Sequence, residues 1–108
     1  MEQRNLKFRA WDKQENRMIQ PHDGDFIRWH AMSNWKDCLV VMQWTGLYDK
    51  NYNEIYEGDI LTENIEVVFK SGKFITIYKN DQQGGAELSP KRCNYLEVIG
   101  NVFERRNN

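Results

Sequence analysis

Cysteine is scarce in this 108-residue chain, where only Cys38 and Cys93 occur, far apart and outside any Cys-x-x-Cys pair. That count excludes a disulfide framework and a cysteine-only zinc site, and it suits reduced thiols. Long apolar runs are lacking too. The longest, Cys38 to Met42, falls well short of the roughly 20 residues a membrane-spanning helix needs. No signal-peptide core lies in Met1 to Phe8, so the expectation is a soluble cytoplasmic protein. Neither charge sign dominates: 15 basic and 16 acidic residues give a net charge of −1, which excludes a global field that would draw the chain to nucleic acid or anionic lipid. A phosphate-cradling glycine loop is absent, because Gly84-Gly85 fits neither the P-loop nor the dinucleotide pattern.

What is present is aromatic and strand-like. Four tryptophans, five tyrosines and five phenylalanines are enough to fill the core of one domain over residues 1–108, with a body near 4–104 and a frayed tail at 105–108. Leu6 to Trp11 alternates with period two, placing Leu6, Phe8 and Ala10 on one face and Lys7, Arg9 and Trp11 on the other. Arg17 to Ile19 returns beside it as a hairpin. A turn at Asp23-Gly24-Asp25 precedes a strand over Phe26 to Met32, and Ser33 to Asp37 reads equally as loop or helical turn. Leu39 to Trp44, apolar on both faces except at Gln43, predicts a strand buried on both sides. Thr45 to Asp59 reads as an ordered loop. Strands follow over Ile60–Thr62, Ile65–Phe69 and Phe74–Lys79, the last two joined by the hairpin turn Lys70-Ser71-Gly72-Lys73. Asn80 to Ser89 reads as a flexible connection, and Leu96 to Phe103 closes the pattern. The fold class is therefore mainly β, a small antiparallel barrel or meander.

The chemistry-bearing residues have bland readings beside sharper ones. His22, Asp23, Asp25 and His30 have ligand chemistry, but their spacing matches no metal motif, and a turn followed by a strand accounts for them. Pairing Cys38 or Cys93 with either histidine lacks any orienting partner. Glu54, Glu57 and Asp59 could form a carboxylate pair, yet Gly58-Asp59-Ile60 reads more directly as a bend whose aspartate bonds nearby backbone amides. Neither a cofactor nor a metal is expected. Lys7, Arg9, Trp11 and Arg28 interleave charge and aromatic rings as single-strand nucleic-acid platforms do. With Trp29 and Trp35 they form the candidate interaction surface.

Three motifs bring a resemblance. Lys7-Phe8-Arg9-Ala10-Trp11-Asp12, then Thr45-Gly46-Leu47 leading to Ile55-Tyr56-Glu57-Gly58-Asp59-Ile60, then Glu97-Val98-Ile99-Gly100-Asn101 with Glu104 together resemble the YopX family of small phage and prophage proteins. The resemblance implies a mainly β, barrel-like domain with SH3-like elements in the C-terminal half, acting in the bacterial cytoplasm. It implies no catalytic residues. Gly46, Gly58 and Gly100 are expected at bends, with Asp59 as a structural turn residue. Members often carry Asn-Gly between the second pair of motifs, whereas Lys50-Asn51-Tyr52-Asn53 lacks glycine, so Asn51 or Asn53 is expected in the left-handed conformation. The functional expectation is a non-enzymatic protein-interaction module that binds a second copy of itself or a phage or host protein, with no membrane role. A nucleic-acid-binding small barrel is the alternative, and an enzyme comes third.

Overall fold

The computed structural model describes residues 6–20, 38–78 and 81–106. The Asp23-Gly24-Asp25 turn, the strand over Phe26–Met32 and the Ser33–Asp37 segment lie outside them. The fold is mainly β, and every strand pairing is antiparallel. Contacts divide the chain into two units, Met1–Gln43 and Trp44–Asn108, and each is described by itself.

In the first unit, β1 (Phe8–Asp12) is bordered by β2 (Arg17–Ile19) and by the first part of β3 (Leu39–Tyr48). The β1–β2 register sets Ala10 opposite Ile19 and Asp12 opposite Arg17. Asp12 shapes the connection, since its Oδ1 accepts from the Gln14 and Glu15 amides at 2.9 and 3.2 Å, a local bond that aspartate makes readily in turns. Ala10, Ile19, Cys38 and Leu39 form the core of this unit. The expected alternation of β1 fails here, because Arg9, Ala10 and Trp11 are buried in succession. Three consecutive buried residues require cover on both faces of a strand. Burial on both sides of β3 is also incomplete: Leu39 and Met42 are buried but Val41 is exposed.

The second unit begins where β3 pairs with β4 (Glu54–Tyr56), with Trp44 opposite Tyr56 and Tyr48 opposite Glu54. The register shifts between those pairs, and Gly46 sits within the irregularity at φ +86°. The stretch read as an ordered loop is thus mostly strand: β3 continues to Tyr48, and β4 and β5 (Asp59–Leu61) follow. The remaining strands are β6 (Ile65–Lys70), β7 (Lys73–Tyr78), β8 (Asp81–Glu87) and β9 (Val98–Asn101), in the sheet order β8-β7-β6-β5-β9. The β6–β7 hairpin closes through Ser71 at φ 54° and Gly72 at φ 81°, the pair of left-handed residues that a tight two-residue hairpin demands.

Strand β8 replaces the expected flexible connection at Asn80–Ser89. Its Gln-Gln-Gly-Gly stretch lacks apolar alternation, yet Gly85 packs closely there: a Cβ would lie 2.9 Å from Ile75 Cδ1, so the end of that side chain would have to shift. Ile55, Leu61, Ile65, Val67, Leu88 and Cys93 make the core, with Leu47, Leu96 and Val98 packed against it. Two short α-helices follow among the described residues of this unit. Pro90–Cys93 begins with proline after Ser89, whose Oγ accepts from the Arg92 amide at 3.3 Å, a favoured start for a helix. Val102–Arg106 is capped by Asn101, whose Oδ1 accepts from the Phe103 and Glu104 amides at 3.0 and 2.9 Å. The tail expected to fray from Arg105 therefore begins inside a helix. Among the described residues, no helix is long and apolar enough to cross a membrane.

Candidate functional site

Asp49 follows β3 and opens a tight turn that ends at Asn53. Its carboxylate is buried. Oδ1 accepts from the Asn51 and Asn53 amides, each at 2.8 Å. Oδ2 accepts from the Val98 amide at 2.9 Å and from Asn53 Nδ2 at 3.3 Å. The backbone closes the same turn, with the Asp49 amide donating to the Asn53 carbonyl and the Tyr52 amide to the Asp49 carbonyl. Burial, the largest single influence, pushes the Asp49 carboxyl upward in pKa. The amides of Val98, Asn53 and Asn51 and the Asn53 side chain together outweigh it and hold the carboxyl below its ordinary value, as expected when several donors meet one anion.

The turn is tied sideways as well. The Lys50 amide donates to the Leu96 carbonyl at 2.9 Å, and Asn51 Nδ2 donates to Glu97 Oε1 at 2.9 Å. Glu97 in turn meets Thr62: its amide donates to Thr62 Oγ1 at 3.0 Å, and the Thr62 amide donates to its carbonyl. Asp-x-Asn-x-Asn spacing evokes a calcium loop, but here both asparagine side chains present N–H donors to carboxylates instead of oxygens to a cation. Among the described residues no group of three or more His, Cys, Asp or Glu is placed to hold a metal. A chelator and a reductant are each expected to leave the thermal midpoint unchanged.

The other motif residues also serve the backbone. Thr45 Oγ1 donates to the Ile55 carbonyl at 2.7 Å and accepts from the Leu47 amide at 3.2 Å. Asp59 is buried, and its Oδ2 accepts from the Tyr56 amide at 2.8 Å across a bend where Gly58 has φ +87°. Gly100 makes its bend differently. It lacks a positive φ, and the register shift between Ile60↔Gly100 and Leu61↔Val98 leaves Ile99 as the extra residue of a bulge.

The candidate surface read from the sequence is not assembled in the described residues. Lys7 is half-buried, Arg9 and Trp11 are 8% and 6% exposed, and Arg9 Nη2 points to Met42 Sδ at 3.9 Å. Arg28, Trp29 and Trp35 lie outside the described residues, as do His22, Asp23, Asp25 and His30. Glu54 and Glu57 are half-buried, while Asp59 is occupied by backbone. Cys38 and Cys93 are free and buried. Burial pushes the Cys93 thiol up, Arg92 opposes this and Asp49 adds to it, so the sulfur is held in its unreactive protonated form.

What reaches solvent is a different set. Tyr52 is 86% exposed at φ 64°, and Tyr95 is 76% exposed. Tyr48 and Ile99 are exposed too. Tyr52 takes the left-handed conformation that was expected of Asn51 or Asn53. Sequence reasoning missed both Asp49 and Tyr52. The signal for Asp49 was the run of asparagines two and four residues on, within reach of a side-chain-bonded turn.

Comparison with known proteins agrees with this architecture. The family model described as YopX protein matches residues 7–107. No curated protein matches. Among solved structures, the crystal structure of protein EF1440 from Enterococcus faecalis superposes with a TM-score of 0.68 at 23% identity, covering 94% of this chain and 96% of that one, a likeness of fold alone. With the family match running nearly end to end, the chain belongs to the YopX protein family.

Proposed function

We propose that this protein is a non-enzymatic interaction module of a phage or prophage, working in the cytoplasm of the bacterial host, with Tyr52 as its principal contact. Tyr52 carries this reading. A left-handed backbone costs a bulky residue on the order of 1–2 kcal/mol relative to glycine, and the almost fully exposed ring recovers nothing by burial. Folding alone would favour glycine at this position. The ring is instead held out on a turn clamped by Asp49, so little freedom remains to be lost on contact. Rigid, amphipathic tyrosines presented in this way are effective at protein interfaces. Tyr95 stands on the segment tied to that turn by the Lys50–Leu96 bond and extends the contact surface.

The partner is a second copy of the chain or a phage or host protein. Sedimentation from low to high micromolar concentration separates these: self-association in the native chain that disappears in Tyr52→Gly identifies the second copy. For a different partner, a photo-reactive residue at position 52 is expected to cross-link that protein in host cells, while one at the exposed Lys13 does not. Tyr52→Gly should melt at the same temperature as the native chain or higher. Association or cross-linking that ignores the residue at position 52 would contradict the proposal.

A further inference from the structure

The β6–β7 hairpin ends in Phe69-Lys70-Ser71-Gly72-Lys73-Phe74. The register places Phe69 opposite Phe74 and Lys70 opposite Lys73. Like charges directly opposite one another destabilise a strand pair, and neither lysine has an ion-pair partner among the described residues. Lysines often guard open strand edges against unwanted pairing, and the tip has such edges: β5 pairs with β6 only at Ile65 and Glu66, and β8 pairs with β7 only from Ile75 onward, so the hairpin end projects past both neighbouring strands. More positive charge lies close by. The Leu88 amide donates to the Phe74 carbonyl, bringing the Pro90–Cys93 helix with Lys91 and Arg92 toward the same end of the sheet. Arg92 Nη1 donates to the carbonyls of Ala86 and Glu87, neutral acceptors that leave its charge uncancelled. Glu87, opposite Ile75, is the acid on that segment. In a chain of net charge −1, the tip itself carries two lysines set directly opposite each other.

The aromatic component is fixed in place. Phe69 is 53% exposed and meets Phe74 edge to face, with centroids 5.1 Å apart. The tip stands clear, since a Cβ at Gly72 would meet nothing within 4 Å. Neighbouring residues of a strand point to opposite faces, so the phenylalanines occupy one face of the hairpin and the lysines the other. A planar membrane can lie against only one of these faces. A flexible polymer can pass round the tip, placing phosphate on the lysines and a base on Phe69. We infer that the β6–β7 tip is a second binding site, distinct from Tyr52, for the phosphate backbone and bases of single-stranded nucleic acid.

Fluorescence anisotropy with a labelled oligothymidylate tests this at low salt. Binding should weaken as salt is raised, the behaviour of phosphate contacts that release counterions. Lys70→Glu should cut affinity about tenfold or more, reversing one charge at the phosphate, and should melt no lower than the native chain because Lys73 gains an opposite charge across the strand pair. Phe69→Ala should cost roughly tenfold, a stacking effect, whereas Lys13→Glu should bind as the native chain does. The inference is overturned by no binding at low salt, or by a loss in Lys13→Glu equal to that in Lys70→Glu. Binding to anionic phosphatidylglycerol vesicles without binding to the oligonucleotide would overturn it as well. Oligonucleotide anisotropy and the sedimentation of Tyr52→Gly are separate readouts, so failure here is distinct from failure of the interaction proposed for that residue.

Discussion

Asp49→Asn is expected to lower the unfolding free energy by about 2–4 kcal/mol at neutral pH. The amide oxygen can still serve the Asn51 and Asn53 amides that Oδ1 serves now. Its NH₂ would then face the Val98 amide and Asn53 Nδ2, donor against donor in a buried position. The loss should depend on pH. Asp49 holds its proton less tightly in the folded chain than in the unfolded one, so its contribution is complete above the unfolded pKa of about 4. It disappears as pH falls through the depressed folded value. Denaturant titrations between neutral and strongly acidic pH should therefore show the native chain and Asp49→Asn converging in stability at the acid end.

Gly58→Val is expected to cost about 1–3 kcal/mol, because a β-branched residue fits poorly at φ +87°. The bend cannot relax easily. The Gly58 amide donates to the Val67 carbonyl at 2.8 Å and its own carbonyl accepts from Val102 at 2.9 Å, so changing φ would disturb β6 and the start of the last helix together. Denaturant unfolding measures the cost. Native stability in this variant would mean that the motif glycine is kept for something other than the bend.

These two residues also mark what was legible in the sequence. The Gly-Asp bend, the Ser71-Gly72 turn and the β1, β2 and β6 strands were readable because each rests on local chemistry: positive φ, a side chain bonding its own backbone, or an apolar run. Strand β8 was not, because its Gln-Gln-Gly-Gly stretch belongs in the sheet only through its neighbours, Gly85 lying beneath Ile75 and Ile77. The burial of Arg9 and Trp11 was invisible for a similar reason, since period-two alternation cannot tell whether the second face of a strand is covered. Asp49 looked like one of many polar loop residues. Its decisive partner, Val98, lies 49 residues away, and no local pattern records such a pairing. Of the interaction surface expected from the sequence, Arg9 and Trp11 are buried, while Arg28, Trp29 and Trp35 lie outside the described residues. Basic and aromatic side chains on β1 seemed available to a ligand, whereas the most exposed large rings of the second unit are tyrosines on turns, where secondary-structure patterns say little about display.

Asp49 is the centre of a polar clamp that fixes the turn presenting Tyr52. Amide hydrogen exchange at Asn51, Asn53 and Val98, compared in the native chain and Asp49→Asn, tests that claim most directly. All three amides should be protected in the native chain, with Val98 losing the most protection in Asp49→Asn and the turn loosening with it. Rapid exchange of the three amides in the native chain, or unchanged protection of Val98 in the variant, would contradict the clamp.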